Sequence, residues 1–245
     1  MSTVTVSIVA HGHGAEVLSL LEKMASDCTA LVNQVILTLN IPDEPLRVKA
    51  AARPWPFRLD VIANAAPRGF GANHNAAFAQ ASEPFFCVLN PDVEIVADPF
   101  PALVQAASRG GIAYPRQVSR DGSPQAFARR VPTPADLLRR HLLRIVPPKP
   151  AHPDFVTGAC MAFAARTYAA LGGFDEKYFM YCEDVDICLR AQLSGHGLTP
   201  APVDIVHEAR QASRRRLRPM AWHVASLLRL WSSPVFRAWR GRAAA

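Results

Sequence analysis

Residues 85–95 read FFCVLNPDVEI, an apolar run from Phe85 to Leu89 that stops abruptly at Asn90-Pro91-Asp92. A short apolar run of this kind, bounded by turn residues, reads as a strand. In open α/β sheets ligands collect beyond the carboxyl ends of strands, where an Asn-x-Asp pair faces a bound group. Two oxygen-bearing side chains two residues apart suit a hard divalent cation, which in turn neutralises a diphosphate. The plainer reading is a Pro-Asp turn that ends a strand.

Further along, residues 172–195 read GGFDEKYFMYCEDVDICLRAQLSG. Asp175, Glu176, Glu183, Asp184 and Asp186 lie beside Phe174, Tyr178, Phe179 and Tyr181. Carboxylates that are partly desolvated and close together have raised pKa values, as a general base requires. The same acids also suit helix capping, because Glu183, Asp184 and Asp186 fall in the first turn of a helix expected over Glu183–Leu193.

Strand and helix patterns alternate along the chain. Strands are expected at Val4–Ala10, Gln34–Leu39, Phe57–Ala63, Phe85–Leu89, Gly111–Tyr114, Phe155–Ala164 and Val203–His207. Helices are expected at Glu16–Ala25, Ala72–Ala81, Phe100–Ser108 and Glu183–Leu193, with His196 and Gly197 forming a turn after the last. The alternation implies an α/β fold with a mostly parallel central sheet and helices on both faces. A chain of 245 residues with 50% hydrophobic content buries one sizeable core. The cysteines at 28, 87, 160, 182 and 188 are scattered and odd in number, which indicates neither a zinc site nor a disulfide framework. The N-terminus lacks a signal-peptide pattern, and no apolar stretch is long enough to span a bilayer, so a cytoplasmic protein is expected.

The net charge of +7 is unevenly placed. From Ala209 onward there are nine Arg and no acid, which leaves 18 basic against 20 acidic residues in 1–208. Leu217, Met220, Ala221, Val224, Leu227, Leu228 and Trp231 recur at helical spacing in this tail. With Trp222 and Trp239 they fit either peripheral attachment at the inner face of a membrane, over 213–242, or a helix packed on the body. Residues 134–148, PADLLRRHLLRIVPP, form a second basic amphipathic stretch within a proline-bounded insertion over 131–150. It reads as membrane-facing, acceptor-facing, or an ordinary surface helix. Nucleic acid would not explain the carboxylates, and nothing in the chain specifies an oligomeric state.

Taken together, LNPDVEI, GFGANHNAAF, VTGACMAF, GGFDEKYFMYCEDVDICLR and the His that closes VDIVH resemble family 2 glycosyltransferases, specifically a bacterial rhamnosyltransferase-like branch. The resemblance runs over residues 4–208, with 209–245 as a basic tail. It implies a GT-A fold, whose Rossmann-like nucleotide-binding half joins an acceptor half. It also implies that Ala10, His11 and Gly12 touch the donor nucleotide, and that Arg68, Gly69, Phe70 and Asn73 contribute a donor-contacting turn and helix start. After the second strand the family carries an Asp-Asn pair; this chain has Leu39-Asn40, with Asn40, a backbone carbonyl or Asp43 left to recognise the base. Asn90 and Asp92 stand at the metal and diphosphate motif, and Asp92 and His207 are the expected ligands of magnesium or manganese. Asp184 is the expected general base of an inverting transfer, with Glu183 orienting the acceptor or tuning the base.

What the resemblance implies as substrates are a nucleotide-sugar donor, dTDP-rhamnose or a UDP-sugar, and a lipid-linked or polysaccharide acceptor in bacterial surface glycan synthesis. The competing classes are a nucleotidyltransferase and a non-catalytic nucleotide-binding scaffold. The first would want a basic Gly-rich loop after the first strand, and AHGHGAE has no Lys or Arg.

Overall fold

The computed structural model describes residues 2–134, 136, 152–208 and 217–243. Strands β1 (Val4–Ala10), β2 (Val32–Leu39), β3 (Arg58–Ala63) and β4 (Phe85–Leu89) lie parallel in the order β3-β2-β1-β4. The same sheet continues through β9 (Cys160–Ala164), β6 (Gly111–Val118), β10 (Gly197–Val206) and β5 (Glu94–Ile95). β6 and β10 pair in parallel, while β9 runs antiparallel between β4 and β6. Parallel strands need crossovers, and the helices that supply them cover the sheet.

Both faces are covered, which follows from the two-residue period of the strands. Val6, Ile8 and Leu37 face helices α1 (Gly14–Asp27), α2 (Glu44–Ala51) and α4 (Phe100–Ala107). Phe86, Val88, Met161 and Phe163 face α3 (Phe70–Phe78), α5 (Ala165–Ala170) and α6 (Glu183–Leu193). Two polar pairs on this second face are satisfied within the core, as burial favours. Thr5 Oγ1 donates to Gln34 Oε1 at 2.7 Å, and Ser7 Oγ lies 2.8 Å from His74 Nδ1.

Several boundaries differ from the expected ones. The strand expected over Phe155–Ala164 is two strands, β8 (Phe155–Val156) and β9, separated by Thr157-Gly158-Ala159. β8 leaves the main sheet to pair with β7 (Ala128–Arg129). Gly197, expected in a turn, opens β10 and pairs with Gly111; the turn is made at Gly195, whose φ is +82°. α3 starts at Phe70, ahead of the expected Ala72. α2 had little apolar periodicity to announce it and is nucleated by Asp43, whose carboxylate accepts the Leu46 N–H at 3.0 Å.

Helices α7 (Leu217–Ser232) and α8 (Pro234–Ala243) pack on the body. Leu227, Leu230 and Phe236 are buried in the same cluster as α6. Trp231 Nε1 donates to the Pro132 carbonyl at 2.9 Å, and Ser226 Oγ donates to that of Met180 at 2.8 Å. Burial stabilises by about 1.5–3 kcal/mol per large apolar side chain, so the inner face of the tail is a packing surface. Met220, Val224 and Leu228 remain exposed on its outer side. Among the described residues no helix is long and apolar enough to cross a membrane. The insertion stretch 134–148, apart from Pro134 and Asp136, lies outside the described residues, as does 209–216.

Candidate active site

The carboxyl ends of β1, β2, β3 and β4 form one edge of the sheet, and most of the expected site residues gather there. β4 ends at Leu89, and the Asn90 N–H donates to the Ala159 carbonyl at 2.8 Å. The neighbouring Gly158 N–H donates to Asp184 Oδ2 at 3.2 Å. The break between β8 and β9 therefore touches the Asn-Pro-Asp turn on one side and the first turn of α6 on the other. Two motifs more than 90 positions apart in the chain meet across three residues.

Thr157, the first residue of that break, extends the connection. Gln117 Nε2 on β6 donates to Thr157 Oγ1 at 3.0 Å, and Gln117 Oε1 lies 3.2 Å from His207 Nδ1. Gln117 Oε1 also accepts from Thr157 Oγ1 at 3.3 Å, and in the tautomer that donates from Nδ1 to Gln117, His207 keeps Nε2 as the acceptor nitrogen. That nitrogen stands 3.5 Å from Asp92 Oδ1. An imidazole nitrogen and a carboxylate oxygen facing each other suit a shared cation, and cis ligands at about 2.1 Å from a metal are themselves about 3 Å apart. The pair therefore fits as two ligands of a divalent ion. Among the described residues no group of three or more His, Cys, Asp or Glu is assembled, so water and diphosphate oxygens would complete the shell.

Asp184 and Glu183 start α6, and the chain enters them under strain. Tyr181 and Cys182 have φ of +71° and +66°, and among the described residues they alone adopt positive φ without being glycine. Such conformations cost on the order of 1–3 kcal/mol each and cluster at functional sites. Burial raises the pKa of Asp184, opposed by hydrogen bonds from the Val185 and Gly158 N–H groups and by the charge of Arg129. Burial, reinforced by the charge of Asp184, holds Glu183 well above the usual carboxylate range. Glu183 Oε2 is buried without a hydrogen-bond partner among the described residues. Burial and the neighbouring charge thus disfavour ionisation of Glu183 more than that of Asp184, which two backbone N–H groups support. Asp186 serves structure: it pairs with Arg190 at 2.7 Å, and Arg190 also donates to the Leu171 and Gly173 carbonyls.

The segment expected to contact the donor is held by an amide network at the sheet edge. Asn40 Oδ1 accepts the Arg68 N–H at 2.8 Å and the Asn64 amide at 2.9 Å, while its nitrogen donates to the Arg68 carbonyl at 3.0 Å. Asn64 also donates to Asn73 Oδ1 at 2.7 Å. Asn40 and Asn73 are buried, so their side chains fasten the ends of β2 and β3 to α3. Leu39 is packed in the core, and Asp43 is spent as the cap of α2. The glycines meet protein. A Cβ on Gly69 would stand 2.8 Å from the Phe179 carbonyl, and one on Gly71 would stand 2.5 Å from Phe174 Cβ. The first N–H of α3, that of Phe70, donates to Phe179 at 3.0 Å. Ala10 is buried, Gly12 uses its freedom at φ +78°, and His11 and Arg68 remain outward at the sheet edge, with Arg68 3.5 Å from Glu176. Of the carboxylates before α6, Asp175 caps its own turn by accepting the Lys177 N–H at 3.0 Å.

Gln117, Thr157, Gly158, Asn64 and Arg129 carry no role in the sequence reading. VTGACMAF contained a signal, since a Cβ on Gly158 would stand 3.3 Å from the Phe70 ring and 3.7 Å from Asp184 Cβ. Gln117 lay beyond the strand expected to end at Tyr114, after Pro115 and Arg116, where the apolar pattern no longer marks a strand.

The mostly parallel sheet of this order, covered by helices on both faces, is shared with solved glycosyltransferases and is the GT-A fold. The chain matches the family described as "Glycosyltransferase like family 2" over residues 3–225, and it belongs to that family, in a rhamnosyltransferase-like branch. It is 28% identical to the Escherichia coli K12 rhamnosyltransferase WbbL over 247 aligned positions, covering 92% of this chain and 91% of that one. It is also 28% identical to a Mycobacterium tuberculosis N-acetylglucosaminyl-diphospho-decaprenol L-rhamnosyltransferase, over 71% of this chain and 67% of that one. Among solved structures, the mannosyltransferase PcManGT of Pyrobaculum calidifontis, in complex with GDP-Man and Mn2+, superposes with a TM-score of 0.61 at 18% identity, over 98% of this chain and 74% of its own. GalNAc-T7 with UDP, GalNAc and Mn2+ gives 0.64 at 18% identity over 84% of this chain, which spans only 43% of that one. Family membership decides for sugar transfer over nucleotidyl transfer.

Proposed function

We propose that the chain is an inverting, metal-assisted glycosyltransferase that moves rhamnose or a related hexose from a nucleotide diphosphate to a lipid-linked saccharide, with residues 1–208 as the catalytic body. The observation that supports this most directly is the convergence of Asn90 and Asp184 on Thr157–Ala159. Asp184 takes the proton of the acceptor hydroxyl as that oxygen bonds to the anomeric carbon; the bond from carbon to the donor diphosphate breaks on the opposite face. Glu183, buried beside the base, orients the acceptor side of the site or tunes Asp184 through like-charge coupling. Asp92 and His207 would hold a divalent cation, manganese or magnesium, and when bound it would supply charge neutralisation to the departing diphosphate. Arg129, close enough for its charge to act on Asp184, adds a cation to the same mouth.

Donor choice rests on analogy with the relatives: WbbL and the mycobacterial enzyme are named as rhamnosyltransferases, and the latter's name gives a decaprenol-diphosphate acceptor. With Leu39 in the core, base recognition falls to backbone groups and to the outward His11 and Arg68. The exposed Met220, Val224 and Leu228 on α7, in a segment with no acidic residue, support contact with the inner face of a membrane. Transfer and hydrolysis assays across UDP-, GDP- and dTDP-sugars test the reading. Turnover of one of them, lost with Asp184→Asn, is expected; no turnover of any would overturn it.

A further inference from the structure

From the junction of α7 with the loop ahead of α6, we infer that the groove there is a subsite for the diphosphate of a prenyl-diphosphate-linked acceptor. This rests on the acceptor class proposed above. The groove is lined by Lys177, Phe179, Trp222, Ala225, Ser226 and Arg229 and holds about 130 Å³. A site for a whole small-molecule ligand takes about 300–1,000 Å³, so this one is scaled to a headgroup rather than to a sugar nucleotide.

Its chemistry is amphiphilic and cationic. Lys177 comes from the loop ahead of α6 and Arg229 from α7, and no carboxylate is part of the lining. Nearby cations are already neutralised, Arg68 by Glu176 and Arg190 by Asp186, whereas Lys177 and Arg229 form no ion pair among the described residues. Two uncompensated cations facing one cleft attract an oxyanion and give charge-assisted hydrogen bonds to it. Phe179 and Trp222, each 38% exposed, stand with ring centroids 5.0 Å apart beside them. Such rings cover the first apolar carbons attached to a headgroup. Ser226, bonded to the Met180 carbonyl, ties the two walls together. A phospholipid surface would be met by cations spread along the outer face of the helix, whereas these converge.

The position suits an acceptor. Only four residues separate Phe179 from Asp184, along the strained entry through Tyr181 and Cys182. A saccharide on that diphosphate is thereby held on the carboxylate side of the sheet edge, opposite Asp92.

The test is calorimetric titration of the full chain, in chelator, with farnesyl diphosphate below its micelle concentration. Saturable binding is expected, with inorganic diphosphate and farnesol each at least about tenfold weaker. Lys177→Ala and Arg229→Ala should each weaken farnesyl diphosphate about tenfold, or about 1.4 kcal/mol, and Lys177→Glu should weaken it further. Unchanged donor-nucleotide titrations in these variants certify the fold. Wild-type affinity in the alanine variants overturns the subsite, as does binding confined to phosphatidylglycerol vesicles. Binding by a chain that transfers no sugar would refute the transfer reading and leave the groove standing. Equal transfer to a neutral alkyl glycoside would refute the groove alone.

Discussion

The backbone N–H of Gly158 donates to the carboxylate of Asp184 at 3.2 Å, joining the start of α6 to the segment that also receives Asn90. This bond fixes the oxygen's direction while the surrounding burial raises its basicity. Asp184→Asn keeps the shape and the hydrogen bonds available to an amide oxygen but removes the proton acceptor. Turnover should fall by about 10²–10⁴-fold with donor affinity unchanged, measured by steady-state assay and nucleotide titration. Near-normal turnover would remove the base from Asp184.

Gln117 should matter to a metal it does not touch. By accepting from His207 Nδ1 it leaves Nε2 as the ligand nitrogen facing Asp92. Losing such a supporting contact typically costs about 10–100-fold in metal affinity. Gln117→Leu should therefore weaken manganese binding by that factor in calorimetry, and Asp92→Ala by at least as much. Identical isotherms for wild type and Gln117→Leu would sever the link.

The fold carries an acid-sensitive residue away from the carboxylates. His74 is buried against Phe70 and Phe174, and burial pulls its pKa from 6.5 to about 3. The unfolded chain then binds a proton that the folded chain refuses. The contribution is fully present above about pH 6.5 and is lost as pH falls toward 3, by up to about 1.4 kcal/mol per unit. Glu183, whose pKa is raised, has the opposite slope, so the contrast between wild type and His74→Gln isolates the histidine. Urea midpoints between pH 7.5 and 4.5 should decline less steeply in His74→Gln; parallel declines would contradict the assignment.

Gly71→Ala tests why α3 begins with glycine. The new Cβ would stand 2.5 Å from Phe174 Cβ, so the loop leading to Glu183 must move. Overpacking of this kind costs about 1–3 kcal/mol. Urea denaturation should show that loss, together with lowered turnover. A fully stable, fully active Gly71→Ala chain would show that the loop can shift without consequence.

Much of the core was readable residue by residue. Val4–Ala10 and Phe85–Leu89 are strands with the expected bounds, and Glu183–Leu193 is the expected helix. These are segments whose own periodicity or apolar continuity selects one backbone geometry. Short α2, with only Leu46 and Ala50 buried, left too faint a pattern. Gly69 reads as part of a donor-contacting turn, whereas the neighbours that exclude a side chain at Gly69 and Gly71 belong to a loop some hundred positions away.

What the amino-acid order determined alone was the set of elements and the placing of carboxylates at a strand end and a helix start, because both depend on neighbours along the chain. Tertiary structure decided which distant groups meet. Gln117 reaches His207 through the registry of β6 on β10, and the broken strand at Thr157–Ala159 holds Asn90 and Asp184 together. Inter-strand registry is set by the packing of whole faces, which no local spacing records.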